Sequence, residues 1–201
     1  MAQMGRPRTF DRDAAIVQAM HLFWEHGYES TSLSQLKAGI AGGISAPSFY
    51  AAFGSKEALF QEALALYQST HGQVMESLFD GTLPAREAVE QALRRSARMQ
   101  CEAGHPRGCM VALGVIGVCA PEQGATALSA ARERTRRGIR ACIERAIADG
   151  ELTSDTDSSA LTSAFDSFLL GLSTLARDGI EHAVLDAAVS QVMRMWDACR
   201  R

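Results

Sequence analysis

Cys101, His105 and Cys109 stand four residues apart in CEAGHPRGC, and that spacing is open to two chemistries. Thiolate and imidazole are both metal ligands, and a thiol beside an imidazole and a guanidinium is a candidate nucleophile. A metal site would need a fourth ligand, but no downstream pair completes a zinc pattern, and Gly104, Pro106 and Gly108 break any helix that would align the three. No metal and no cofactor are therefore expected. As a thiol, Cys109 follows Pro106-Arg107-Gly108 and precedes the most apolar segment of the chain. Arg107 and His105 would lower its pKa if they folded over it, which makes Cys109 a candidate redox or electrophile sensor. The competing role is that of a small buried hydrophobe. Catalysis is the weakest of the three readings, since no glycine-rich oxyanion motif accompanies the thiol.

The second constellation is GGISAPSFYAAFGSKEALF, Gly42 to Phe60. Ser45 is positioned to cap a short helix that tolerates Pro47 in its first turn. The small side chains of Ser45, Ala46 and Ser48 let that helix end approach another molecule closely, and its unpaired backbone N–H groups suit phosphate oxygens. Phe49 and Phe53, four apart, would anchor the helix, leaving Tyr50 to point elsewhere with its hydroxyl in reach of a phosphate. Lys56 opposes the dipole at the start of the next helix, a small cost that makes sense beside an anion. A short helix, a glycine turn and a second short helix form the helix-turn-helix arrangement, whose second helix enters the DNA major groove.

The elements that must position these residues all read as helices. Asp11 caps a first helix with Ile16, Met20 and Phe23 on one face, ended by Gly27. Thr31 and Ser32 open a second, carrying Leu33, Leu36 and Ile40 and broken by Gly42 and Gly43. The third starts at Ser45 and stops at Gly54. Ser55 opens a fourth, expected to reach about Leu78. Further helices are expected from Pro84 to about Ala103, Met110 to Val118 (apolar nearly all round, hence buried), Pro121 to Asp149, Asp157 to about Asp178, and Val184 to Ala198. The fold class is all-α, with about nine helices: an N-terminal three-helix helix-turn-helix domain, residues 5–57, and a C-terminal helical domain, residues 58–201.

Composition sets the outer bounds. The chain has 201 residues and a formal charge of -3, so DNA contact must rest on local placement of cations rather than on an overall basic domain. Five cysteines, an odd number, argue for reduced thiols in the cytosol. No apolar run suits a signal peptide or a membrane span, and a cytoplasmic location is expected. The arginine run ARERTRRGIRACIER, from Arg132 to Arg145, is diluted by Glu133 and Glu144 and reads as a solvated face. His21, His26, His71 and His182 lack ligand partners. Met75, Met99, Met110 and Trp196 read as core or pocket lining.

FWEHGYESTSLSQL followed by GISAPSFYAAFGSKEALF resembles the DNA-binding domain of TetR-family transcriptional regulators. The likeness covers roughly residues 10–64 and is carried by Gly27-Tyr28, Thr31-Ser32, Gly43-Ile44-Ser45, Phe49-Tyr50, Phe53 and Ser55-Lys56-Glu57, in order. LKAGIAGGIS is about two residues longer than the family usually shows before the recognition helix, and Ala52 stands where a His or another polar residue is frequent. The resemblance implies a homodimeric repressor of double-stranded operator DNA, released by a small-molecule effector that binds the C-terminal domain. Its DNA-binding residues would be Arg6, Arg8, Thr31, Ser32, Ser45, Ala46, Pro47, Ser48, Tyr50 and Lys56, with Arg6 and Arg8 in the minor groove. Its last two helices would pair across the dimer. The apolar residues expected there are Leu161, Phe165, Phe168, Leu172, Leu175, Val184, Val192 and Trp196. Two other functions remain in view: a helical interaction protein that has lost DNA binding, and a Cys109-dependent hydrolase or transferase.

Overall fold

The structure, a computed structural model, describes residues 11–114 and 123–200. Asp11 caps α1 (Arg12–His26) by accepting from the Ala14 N–H. Ser32 and Gln35 form a reciprocal capping box at α2 (Leu33–Gly39). Ser45 caps α3 (Ala46–Phe53), and Ser55 caps α4 (Lys56–Ser69). A 3-10 helix, His71–Phe79, follows, and then α5 (Ala85–Met99), α6 (Met110–Leu113), α7 (Gln123–Ala148), α8 (Ser158–Arg177) and α9 (His182–Asp197). Asp157 caps α8 through the Ser159 and Ala160 N–H groups. The described residues are thus all-helical, apart from one isolated bridge between Leu152 and Arg200.

Two expected boundaries move. The fourth helix stops at Ser69 rather than near Leu78, because the hydroxyls of Ser69 and Thr70 both donate to the Leu66 carbonyl, at 3.0 and 2.7 Å. That competition, with Gly72 close behind, turns the chain into the tighter 3-10 form. The fifth helix ends at Met99, short of Ala103, as Cys101 and Glu102 bond back to Arg98 and Met99. Of the expected buried helix from Met110 to Val118, the described part is Met110–Leu113, and within it only Met110 is fully buried.

The apolar residues gather into two cores. One joins α5, α7, α8 and α9 around Leu93, Ile143, Phe165 and Trp196. The other joins α1 to α4 through Phe23, Trp24, Phe49, Phe60 and Tyr67, and takes in Met99, Met110 and Leu128 from later in the chain. Burying each such aromatic side chain contributes about 2 kcal/mol. Trp24 is the junction. Its indole N–H donates to the Gly108 carbonyl at 3.2 Å, and the His105 ring stacks on it at 4.5 Å and 14°. Arg177, at the end of α8, donates to the carbonyls of Arg107, Trp24 and Glu25. The 101–109 loop is held by α1 on one side and α8 on the other.

Gly108 makes that approach possible. Its φ is +84°, and a Cβ there would lie 2.5 Å from Leu113 Cδ1 and 2.9 Å from the Ser173 carbonyl of α8. Leu113 can move, but the α8 backbone is held by its own ladder. Gly108→Ala is expected to lower stability by about 2 kcal/mol or more. Gly104→Ala, with φ +98° but nothing within 4 Å, should lose only the conformational term of about 1 kcal/mol. Urea denaturation of the two variants checks the difference, and equal losses would contradict the steric account.

Candidate nucleic-acid interface and internal cavity

The turn between α2 and α3 is built from three consecutive residues at positive φ: Ala41 (53°), Gly42 (69°) and Gly43 (96°). Gln18 of α1 accepts the Ala41 N–H at 2.7 Å. The Ile44 N–H returns to the Lys37 carbonyl at 2.9 Å and closes the turn. Helix α3 is then fixed from its inner side by Phe49 and Phe53, which are 0 and 4 % exposed. Its far end is held by Arg12, which donates to the Ala52 carbonyl at 3.2 Å, pairs with Glu62 at 2.7 Å and covers the Phe53 ring. Sequence reasoning missed Arg12. An arginine in the first turn of a helix, against the dipole, was the signal.

The outer side of α3 presents Ser45, Pro47, Ser48 and Tyr50 to solvent, with Ala46 half-buried. The Ser45 hydroxyl accepts from the Ser48 N–H at 3.3 Å and lies 2.9 Å from the Ser48 hydroxyl. Tyr50 rests edge-on against Phe49. Ser32 is exposed at the start of α2, whereas Thr31 is fully buried and its hydroxyl donates inward to the Gly27 carbonyl at 2.6 Å. Thr31 therefore leaves the group of expected DNA contacts: its role is to cap the end of α1. Lys56 is half-buried, its ammonium 4.3 Å from the centre of the Tyr28 ring, a cation–π contact. Arg6 and Arg8 lie outside the described residues.

Behind this unit, α4, the 3-10 helix, α5, α7 and α8 enclose a cavity of about 400 Å³, within the range of small-molecule sites. Val74, Met75, Met99, Val111, Leu169 and Leu170 supply apolar wall, and Ser96, Gln100, Arg132 and Asp166 supply polar groups. Cys109 also lies on the wall, where the buried Tyr67 hydroxyl donates to its sulfur at 3.1 Å. Burial holds the Tyr67 phenol well above its ordinary pKa. Arg107 and His105 do not fold over Cys109, so the condition set for their acting on its thiol is not met. Arg107 is drawn to the carbonyls of Ala176 and Ile180, and His105 is stacked on Trp24. Among the described residues no group of three His, Cys, Asp or Glu could hold a metal.

A family model described as bacterial regulatory proteins, tetR family, matches residues 15–63. The HTH-type transcriptional repressor ComR of Escherichia coli K12 is 31% identical over 195 residues, 96% of this chain and 91% of that protein. The chain belongs to the TetR family of transcriptional regulators. A solved TetR-family regulator, a cysteine mutant of CifR complexed with 26 bp operator DNA, is 44% identical with a TM-score of 0.82 and covers 95% of this chain and 100% of that one. A TetR regulator from Rhodococcus sp. RHA1 is 36% identical with a TM-score of 0.60 and covers 93% and 98%. The chain is thus a helix-turn-helix transcriptional regulator.

In this TetR-family chain the last two helices divide differently from expectation. Leu161, Phe165, Leu172 and Trp196 are 8, 0, 1 and 0 % exposed and belong to the core of α5, α7, α8 and α9, so they do not form an outer face. Phe165 and Trp196 pack on each other, and the Trp196 indole N–H donates to Glu151. Leu175 and Val184 are exposed, and Phe168 and Val192 half-buried. They share the outer side with Ala164, Gly171, Ala187 and Ala188, a surface of small and apolar residues. The arginine run is likewise only partly solvated. Arg132 reaches the Val111 carbonyl at 3.2 Å, and Arg134 covers Phe79 and pairs with Glu76; both side chains line the cavity. No helix among the described residues is long and apolar enough to cross a membrane.

Proposed function

We propose that the protein is a homodimeric repressor that binds double-stranded operator DNA and is released when a small molecule occupies the cavity. The observation that carries this is the placement of α3: its small-residue N-terminal end is exposed while Phe49 and Phe53 anchor it in a core that continues into the cavity wall. Residues 5–57 act as the DNA-binding part and residues 58–201 as the effector and dimerisation part, in the cytoplasm, where the operator is. Ser32, Ser45, Ala46, Pro47, Ser48, Tyr50 and Lys56 meet the DNA, with Arg6 and Arg8 in the neighbouring minor groove. No catalytic role is assigned to any residue. The effector acts by binding the form with wrongly spaced recognition helices more tightly than the DNA-competent form.

Phosphate contacts set affinity and salt dependence rather than sequence choice. Lys56→Ala is expected to weaken binding to all DNA sequences alike and to flatten the log–log salt slope by about one unit. A gel-shift titration across salt, on the DNA flanking the gene, checks this; no binding by the wild type would sink the DNA reading.

The dimer face is assigned to Phe168, Leu175, Val184 and Val192, which the chain's own core leaves partly or wholly uncovered. Val184, 60 % exposed, allows a clean test. Val184→Glu should keep the helical far-UV spectrum but shift the protein toward monomers in sedimentation, lower its melting temperature by the stabilisation the dimer supplied, and weaken operator binding. A monomeric wild type at micromolar concentration would overturn the assignment.

A second reading is favoured by the Tyr67–Cys109 contact on the cavity wall: Cys109 serves as an electrophile sensor. The Tyr67 O–H donates to this sulfur at 3.1 Å, and the sulfur attacks a carbon electrophile to form a C–S bond. With iodoacetamide as probe, the thiol proton goes to solvent and iodide leaves. Wild-type protein should lose operator binding on treatment and Cys109→Ser should keep it. Equal loss in both would remove Cys109 from the switch.

A further inference from the structure

We propose that the cavity binds a small amphipathic carboxylate, its anionic end on Arg132 and its apolar body against Met75, Met99, Leu169 and Leu170. The proposal rests on the reading of the cavity as the effector site and narrows the class of effector.

The argument is one of charge balance. Two carboxylates and two arginines stand on the cavity wall: Glu76, Asp166, Arg132 and Arg134. Glu76 accepts from Arg134 at 3.1 Å. Asp166, whose side chain is only 13% exposed, accepts from Arg136 at 3.2 Å. Both carboxylates are therefore committed. Arg132 is left with the Val111 carbonyl, a neutral acceptor, at 3.2 Å, and among the described residues no carboxylate lies within ion-pair distance of it.

A guanidinium stays charged under all ordinary conditions, so a half-buried one with no carboxylate at ion-pair distance among the described residues carries a desolvation penalty that is only partly relieved. Burial and the neighbouring Arg136 charge act against the charged form of Arg132, only partly opposed by Asp166 and Cys109. A bound anion relieves that penalty, and the planar N–H fork of arginine matches a carboxylate with two parallel hydrogen bonds. One arginine balances one charge. A phosphate monoester would set its second charge toward Asp166 and Glu76, which favours the monoanionic carboxylate. Met75, Met99, Leu169 and Leu170 supply apolar surface for the body of the ligand, and the carboxylates among them, Glu76 and Asp166, are already paired with Arg134 and Arg136.

The test uses the full chain without DNA. Benzoate, 4-phenylbutyrate and octanoate are each titrated calorimetrically beside their own primary amides, which match them in shape but lack the charge. At least one carboxylate should bind with about tenfold or greater preference over its amide. Arg132→Gln should lose that preference. Because Arg132 also holds the Val111 carbonyl, its melting temperature is checked, and Arg132→Lys serves as a second variant: it keeps the charge but loses the fork, so it should bind more weakly while still preferring the carboxylate. Three results would overturn the proposal: amides binding as tightly as carboxylates, an undiminished preference in folded Arg132→Gln, or no binding by any of the three carboxylates at millimolar concentration. The operator gel shift is scored separately. A carboxylate that binds as expected but leaves operator occupancy unchanged upholds the ligand class and removes the cavity as the release site.

Discussion

The structure turns on Trp24. The indole is buried among His105, Tyr67 and His71, its N–H is taken by Gly108, and its own carbonyl is held by Arg177. A buried indole that kept an unpaired N–H would lose about 1–3 kcal/mol, so the Gly108 carbonyl is a requirement and not an addition. His105 accepts an imperfect position for this contact. Its Nδ1 lies 2.9 Å from the Pro106 carbonyl, which can only accept, so Nδ1 is the protonated nitrogen. The buried Nε2 finds no donor among the described residues. Stacking on Trp24 offsets that loss. The result is that α1 cannot shift without disturbing the loop that carries Cys109, and α8 is tied to both through Arg177.

A comparable constraint governs α3. Phe49 must enter the core of α1 to α4 while the N-terminal end of its helix stays free, and the connection from α2 has to reverse within a few residues. The connection runs through left-handed backbone at Ala41, Gly42 and Gly43. Glycine adopts that conformation freely, but Ala41 pays about 1 kcal/mol. Its N–H is bonded to Gln18 and its half-buried side chain packs on the core, which explains why the strain persists. With this turn both anchors of α3, Phe49 and Phe53, are buried.

Much of this was legible in the sequence because it is local. Asp11, Ser32, Ser45, Ser55 and Asp157 all cap the helices they precede, and caps require only neighbours along the chain. Phe49 and Phe53 follow from spacing on so short a helix. What was not legible depends on partners far away in sequence. Leu161, Phe165, Phe168, Leu172 and Leu175 follow one another at four- and three-residue spacing along α8 and look alike in sequence; only α5, α7 and α9 decide which of them become core. The Tyr67 hydroxyl lies 42 residues from Cys109, beyond any local pattern. Thr31 was placed at a helix start correctly but given the wrong neighbour, because a hydroxyl beside an N-cap can as well turn back to the preceding helix. The arginine run was only partly legible, because Arg132 and Arg134 are drawn to the cavity by Val111 and Glu76, 21 and 58 residues away, while Arg137 and Arg140 stay exposed.

The cavity and α3 are linked by two structural routes of unequal stiffness. One is the 101–109 loop, fixed at Trp24 and Arg177. The other is α4, whose first turn follows Gly54 at the end of α3 and whose last turn passes into the 3-10 helix. That helix is nine residues long, well beyond the usual three or four, and its hydrogen bonds are intrinsically poorer than those of an α-helix. It is held against α7 from outside: Gly138 lets Leu78 and Phe79 approach to 3.0 Å of where a Cβ would stand, and Arg134 covers Phe79 and pairs with Glu76. Val74, Met75 and Glu76 of this weakly bonded segment also line the cavity. A ligand that altered the Arg134–Glu76 pair would therefore act on the least stable part of the α4 side, whereas one acting at Cys109 would have to move the clamped loop. Of the two routes, the α4 side needs the smaller differential binding energy to shift.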